Sequence, residues 1–348
     1  MKRKEQKPLI SVIIPAYNIE KWIAPCAASL FAQKMFKETE IIFVDDGSTD
    51  NTGREIEKVY KRAKKNVVIL KNQRNYGVSA ARNQAIDVAR GGGIMFLDGD
   101  DEIGYNTNHS FDTGYLGKFW APLTNPEIRS DIVIGNIVQA GDKRDFAFNQ
   151  SAIYENHIVS DTIKLLKYVN RRVSACATLY NADTIKSHNL KFDTSLTYFE
   201  DTSFISNYIL KMRGNCAVFI SDAIYKYNYR ANSAMHRLKS HSEEEMRRLT
   251  YINNQMIYYL KMIDSCEKKF GPRSLPVQLF MQKMTKKRRD IIEFSEKYPN
   301  SRDFYLSFLQ YLPDVCRGCN KRGCDKCKDY DSERMLITGI SDRLLRVK

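Results

Sequence analysis

Four short apolar runs in the first hundred residues limit what this chain can fold into: Ile10–Ile14, Glu40–Val44, Val67–Leu70 and Gly93–Leu97. Each is nearly continuously apolar, as a strand covered on both faces of a sheet must be. The stretches between them, Ile19–Ala32, Asn51–Ala63 and Ser79–Ala89, have helical character. Strands alternating with helices predict an α/β fold with a mostly parallel central sheet, because parallel neighbours are joined by crossovers. Gly91, Gly92 and Gly93 end the third helix and form no phosphate loop, since no Lys-Ser or Lys-Thr pair follows them.

Ligands of such sheets bind beyond the carboxyl ends of the strands. Here those ends read Pro15-Ala16-Tyr17-Asn18, Asp45-Asp46-Gly47-Ser48-Thr49-Asp50 and Asp98-Gly99-Asp100-Asp101. Carboxylates converging on one crevice repel each other unless a cation or hydrogen-bond donors sit between them. Asp98 and Asp100, two apart on a turn, suit a hard divalent ion that keeps positions free for phosphate oxygens. The competing reading is a solvated acidic turn.

After Asp101 the pattern loosens, and Glu102–Ser130 reads as an irregular insertion carrying Tyr105, Phe111, Tyr115, Phe119 and Trp120. These aromatics either stack on an acceptor sugar or pack the insertion itself. Strands are predicted at Asp131–Val138, Ala217–Ile220 and Ala223–Tyr229, and a helix at Ser160–Tyr168. From Ser242 onward helix dominates: Ser242 with Glu243, Glu244 and Glu245 has the form of a capping box, and Met246, Leu249, Met256, Leu260 and Ile263 follow at helical spacing. More helix is expected at Val277–Ser295, Arg302–Tyr311 and Glu333–Leu345.

At 348 residues and 43% apolar composition the chain can bury two cores, divided here at 1–240 and 241–348. No stretch approaches the roughly 18 apolar residues of a membrane span. The opening MKRKEQKPLISVIIPAYN reads as a strand and not a secretory signal, so a soluble cytoplasmic protein is expected. Lys and Arg number 55 against 41 Asp and Glu, a net charge of +14, with more than half of the excess after Arg237. Such a field favours nucleotide phosphates, anionic lipid or nucleic acid as partners.

SVIIPAYN, VDDGSTDNT, NQRNYGVSAARNQAI and FLDGDD, in that order, resemble the nucleotide-sugar half of family 2 glycosyltransferases of the GT-A fold. LYNADTIKSHNLKFDTSLTYFED and YNYRANSAMHR resemble that family's downstream segments, and the likeness runs over about residues 8 to 240. It implies a metal-dependent, inverting transfer of a sugar from a nucleotide diphosphate donor, a UDP-sugar by preference, to a glycan or lipid-linked saccharide of a bacterial surface polysaccharide. It further implies that Pro15, Ala16, Tyr17 and Asn18 line the nucleoside pocket, that Asp46 accepts from the base, and that Gly77 and Arg82 face the diphosphate or ribose. Asp98 and Gly99 would meet the ribose or metal, with Asp98 and Asp100 holding Mn²⁺ or Mg²⁺, and His236 would be a further ligand, with His241 its rival. Asp201 would be the general base, although Asp201 before Thr202 and Ser203 also reads as a helix cap.

Cys316, Cys319, Cys324 and Cys327 form a paired C-x-x-C cluster that suits a structural Zn²⁺, with a redox pair and free thiols as rivals. Cys26, Cys176, Cys216 and Cys266 are scattered and expected to be buried and unpaired. Lys286-Lys287-Arg288-Arg289 and the basic last helix suggest docking on the anionic inner face of the plasma membrane, against a solvated helix face. Two other function classes compete: a nucleic-acid-binding protein with a zinc module, and a sugar nucleotidyltransferase. The second expects a glycine-rich basic loop where PAYN stands.

Overall fold

The computed structural model describes residues 7–105, 111–140, 147–148, 153–169, 174–214, 216–228, 241–272 and 274–283, with backbone alone at 140, 147–148, 241–249 and 253. His236, the four clustered cysteines, Lys286–Arg289 and the last two expected helices lie outside them. The chain divides into two compact units: residues 1–194 with 200–237, and residues 195–199 with 238–348.

The first unit contains one sheet of strands β1 (Ile10–Ala16), β2 (Thr39–Asp45), β3 (Val67–Lys71), β4 (Gly93–Phe96), β5 (Glu102–Tyr105), β6 (Ile132–Ala140), β7 (Ala147–Phe148), β8 (His157–Val159), β9 (Thr178–Asn181) and β10 (Ala217–Asn228). Helices α1 (Ile23–Phe31), α2 (Thr52–Ala63), α3 (Val78–Val88), α4 (Tyr115–Thr124), α5 (Thr162–Val169), α6 (Ala182–Ser187) and α7 (Glu200–Lys211) connect them. The order runs β3-β2-β1-β4-β9-β6-β10-β5, with β7 on β6 and β8 on β10.

The first four strands pair in parallel, as their apolar runs predict, and β2 and β4 are buried along their whole length. The expectation of a mostly parallel sheet is nevertheless corrected. β9 lies antiparallel between β4 and β6, and β5 and β8 run antiparallel to β10. For β5 the physical reason is the connection after β4: a turn returns the chain directly, with no crossover helix to restore direction.

Two further expectations change. The irregular insertion is instead β5 and α4, with Tyr115, Leu116 and Phe119 buried and the Tyr115 and Phe119 rings 4.9 Å apart. Pro122 inside α4 and its short length hid the helical spacing. The two strands expected at Ala217–Tyr229 are one strand, β10, whose register on β6 shifts between Phe219 and Ile224. A bulge of this kind breaks the alternation from which strand ends are read.

The core beside the site is aromatic. Phe192 and Phe204 stack at 4.1 Å, and Phe96 meets them edge-on at 5.0 and 5.5 Å. Each such pair adds about 0.5–1.5 kcal/mol beyond its burial. Phe96 ends β4 and Phe204 lies in the first turns of α7, so this packing sets the start of that helix beside the end of that strand. Cys26, Cys176, Cys216 and Cys266 are buried and free, as expected.

In the second unit α8 (His241–Phe270) occupies the region where the capping box predicts helix. Its buried Asn254 accepts the backbone N–H groups of Thr197 and Tyr198 at 2.6 and 2.8 Å, and a further helical segment covers 275–283. Phe280 of that segment meets Tyr258 edge-on at 6.0 Å.

Candidate active site

The loops after β1, β2 and β3 are tied to one another. Ala16 accepts the Asp46 N–H at 2.9 Å, and the Ile19 N–H donates to Thr52 Oγ1 at 2.8 Å. Asn18 sits at φ 51°, a conformation that Asn tolerates, and its Oδ1 accepts the Thr49 N–H at 2.8 Å. Glu20 accepts from Asn51 at 2.9 Å, and Asp50 accepts from the Glu20 N–H at 3.2 Å. Asp46 is buried, and its carboxylate takes Asn72 Nδ2 at 2.7 Å, the Gly77 N–H at 2.8 Å and the Tyr76 N–H at 3.1 Å.

Gly47 lets these loops close. Its φ is +73°, and a Cβ there would fall 2.4 Å from the Arg74 carbonyl carbon. Tyr17 and Tyr76 remain exposed at 43% and 49%, with the Arg74 guanidinium 5.0 Å over the Tyr76 ring. The result is a preset edge carrying two partly exposed tyrosine rings, one of them faced by an arginine. Pro15 and Ala16 complete β1 beneath it, and Gly99 is buried where a Cβ would meet Ile19 Cδ1 at 2.6 Å.

Arg82, on α3, occupies the centre. Its side chain is 3% exposed; Nη2 bonds Asp98 Oδ1 at 2.7 Å and Nη1 bonds Asp201 Oδ1 at 2.6 Å. Its guanidinium lies 5.0 Å over the Phe192 ring. The next residue, Asn83, clamps the Phe192 backbone, accepting its N–H at 2.7 Å and donating to its carbonyl at 2.9 Å. Arg82 and Asn83 thus act as a unit: one holds the two carboxylates, the other the ring beneath them. Asp201, in the first turn of α7, also accepts the Ala175 N–H at 2.8 Å. Burial raises its pKa and the Asp98 carboxylate adds to this, while Arg82 and the Ala175 N–H pull it back.

Asp98 is 34% exposed, and no described residue donates to its Oδ2. Asp100, two residues on, is half-buried on the same turn. Asp101 points inward, accepting Tyr225 Oη at 2.6 Å and the Asn228 N–H at 2.8 Å. Burial, with Asp100 and Asp98 close by, raises its pKa well above the carboxylate range. Among the described residues no three His, Cys, Asp or Glu side chains are grouped to hold a metal ion. The Asp98 and Asp100 carboxylates are hard oxygen ligands that fit Mg²⁺ or Mn²⁺ when phosphate oxygens complete the shell, the usual way these ions bind nucleotides.

Glu200 has its pKa raised to about 8, through burial first and the neighbouring Asp201 second. Such a group takes up a proton on folding, so its contribution is full below its unfolded value near 4.5 and lost as pH rises through about 8. Glu200→Gln removes that dependence. Its melting temperature gains on the parent between pH 5 and pH 8 and the gap then levels; a gap constant with pH counts against this ionisation.

Several residues of the site escape sequence reasoning: Asn72, Ala175, Phe192, Tyr225 and Asn228 act through hydrogen bonds or ring packing across long separations. Asn72, which directly follows β3, and Phe192 and Asn228 lie within the quoted motif segments, but nothing in those segments announces their partners.

The fold and site define an α/β protein in which acidic strand ends stand beside a carboxylate at a helix start. The Glycosyl transferase family 2 profile matches residues 11–187, just over half of the chain. The chain belongs to glycosyltransferase family 2 and is related to bacterial surface-polysaccharide and teichoic-acid transferases. It is 29% identical over 234 residues to the uncharacterized glycosyltransferase EpsJ of Bacillus subtilis, covering 65% of this chain. It is also 29% identical over 309 residues to the minor teichoic acid biosynthesis protein GgaA of Bacillus subtilis, covering 86% of this chain and so continuing past residue 240. The chain spans 62% of the length of each of these relatives. The fold is shared with S. aureus TarS 1-349 in complex with UDP-GlcNAc, at TM-score 0.56 and 22% identity over 96% of this chain and 92% of that one.

Proposed function

We propose that the protein transfers a sugar, with inversion, from a UDP-sugar to a glycan or lipid-linked saccharide in the synthesis of a bacterial surface polysaccharide. The observation that carries this reading is the Arg82 bridge, which brings a strand-end carboxylate and a helix-start carboxylate into one site. Family membership supplies the reaction class.

The nucleoside would lie at the tied edge of Tyr17, Asn18 and Asp46, and Asp98 and Asp100 would hold Mn²⁺ or Mg²⁺. When bound, the ion offsets negative charge gathering on the leaving diphosphate. Asp201 takes the proton of the acceptor hydroxyl as that oxygen bonds to the anomeric carbon; the bond to the diphosphate breaks on the opposite face and its electron pair leaves with the nucleotide. Arg82 favours the ionised form of Asp201 against its burial, and the Ala175 N–H fixes its second oxygen. His236 as a further ligand, a structural zinc at Cys316, Cys319, Cys324 and Cys327, and peripheral membrane contact through the basic C-terminal part belong to the same reading. No helix among the described residues is long and apolar enough to cross a membrane.

Thermal unfolding with UDP, GDP, CDP and TDP, with and without Mn²⁺, tests the donor. UDP is expected to raise the melting temperature by several degrees in Mn²⁺ only, since ligand at 100 times its Kd stabilises by about 2.7 kcal/mol. Asp98→Ala and Asp100→Ala each remove the metal-dependent part. No shift with any nucleotide sinks the reading.

A further inference from the structure

The two carboxylates held by Arg82 have different prospects: Asp98 is 34% exposed at the strand end, while Asp201 is 12% exposed at the start of α7. We propose that Arg82 is a positioning residue linking divalent-ion binding at Asp98 to the hold on Asp201, so that the two sites share one cation and bias each other. This rests on the donor-site reading above.

Geometry sets the linkage. Arg82 is buried against Phe192 and cannot turn to solvent, and its Nε has no hydrogen-bond partner among the described residues. Its two Nη atoms are the ends of a rigid fork, so a pull at one carboxylate is felt at the other. An ion that takes Asp98 at its free Oδ2 draws charge from the carboxylate and weakens the bond from Nη2 to Oδ1, and Arg82 then leans on Asp201. Neutralising Asp201 leaves Asp98 as the sole anion bonded to the fork, which draws it from the metal. Coupling between sites is reciprocal, so whatever Asp201 does to metal affinity, the metal does to Asp201.

The test separates the fork from charge alone. Mn²⁺ affinity is measured by calorimetry, in saturating UDP, for the wild type, Asp201→Asn, Arg82→Lys and the double variant. Lys keeps the charge but is a point donor without a fork. With Arg82 in place, Asp201→Asn is expected to weaken Mn²⁺ at least about 5-fold, the lower end of usual coupling. In the Arg82→Lys background the same change has at most half that effect on a logarithmic scale. An equal loss in both backgrounds, or none in the first, overturns the linkage and leaves the donor site standing. Absence of Mn²⁺ binding to the wild type overturns both.

A measurement that leaves Arg82 intact guards against a variant that does not fold. Mn²⁺ added to the wild type in saturating UDP is expected to slow hydrogen exchange of the Ala175 amide, which donates to Asp201, relative to UDP alone. Unchanged exchange at saturating Mn²⁺ counts against the linkage.

Discussion

Asp201→Asn is expected to lower the rate of sugar transfer by about 10²- to 10⁴-fold, the usual worth of a positioned general base. The rate is read with saturating donor and Mn²⁺, so that weakened metal binding does not contribute. Asn preserves the shape of the side chain but accepts no proton. The start of α7 has further support, because Phe204 packs on Phe192 and Phe96 whatever residue stands at 201. The variant is therefore expected to fold and to respond to UDP with Mn²⁺ present in excess. Transfer within threefold of the parent would remove Asp201 from the chemistry and leave it a structural partner of Arg82 and the Ala175 N–H.

The second large effect is on stability. Arg82→Met leaves Asp98 and Asp201 close together with no cation between them, and breaking a buried pair from one side costs about 3–5 kcal/mol. Much of that cost is the charge left behind and not the value of the bond itself. Arg82→Lys keeps a cation in place and costs less, losing mainly the second bond of the fork. Urea unfolding of both variants checks the order. A loss below about 1 kcal/mol for Met would mean that the carboxylates find water or a proton more readily than their burial implies.

The order of the first four strands and the helices between them was legible because it is local chemistry: β1 to β4 are apolar runs, and α1 to α3 lie between them at helical spacing. The positions of Asp46, Asp98, Asp100 and Asp201 were legible too, since they follow strands or open a helix within recognisable motifs. Arg82 was read as facing phosphate or ribose, and the structure holds its guanidinium on Asp98 and Asp201. Arg82 and Asp201 stand 119 residues apart, and nothing in either neighbourhood announces the other. The same is true of Asp101 with Tyr225, 124 residues apart.

By itself, then, the sequence determined the elements of the first hundred residues, the acidic strand ends and the family to which they belong. Patterns of burial and turn chemistry act over a few residues and leave their mark at fixed spacing. Only the tertiary structure decided the direction of β5, β8 and β9, the order of α4 within the supposed insertion, and the partner of each buried charge. Those outcomes depend on which distant surfaces exclude water together, and a carboxylate taken into such a place accepts whichever donor the packing brings to it.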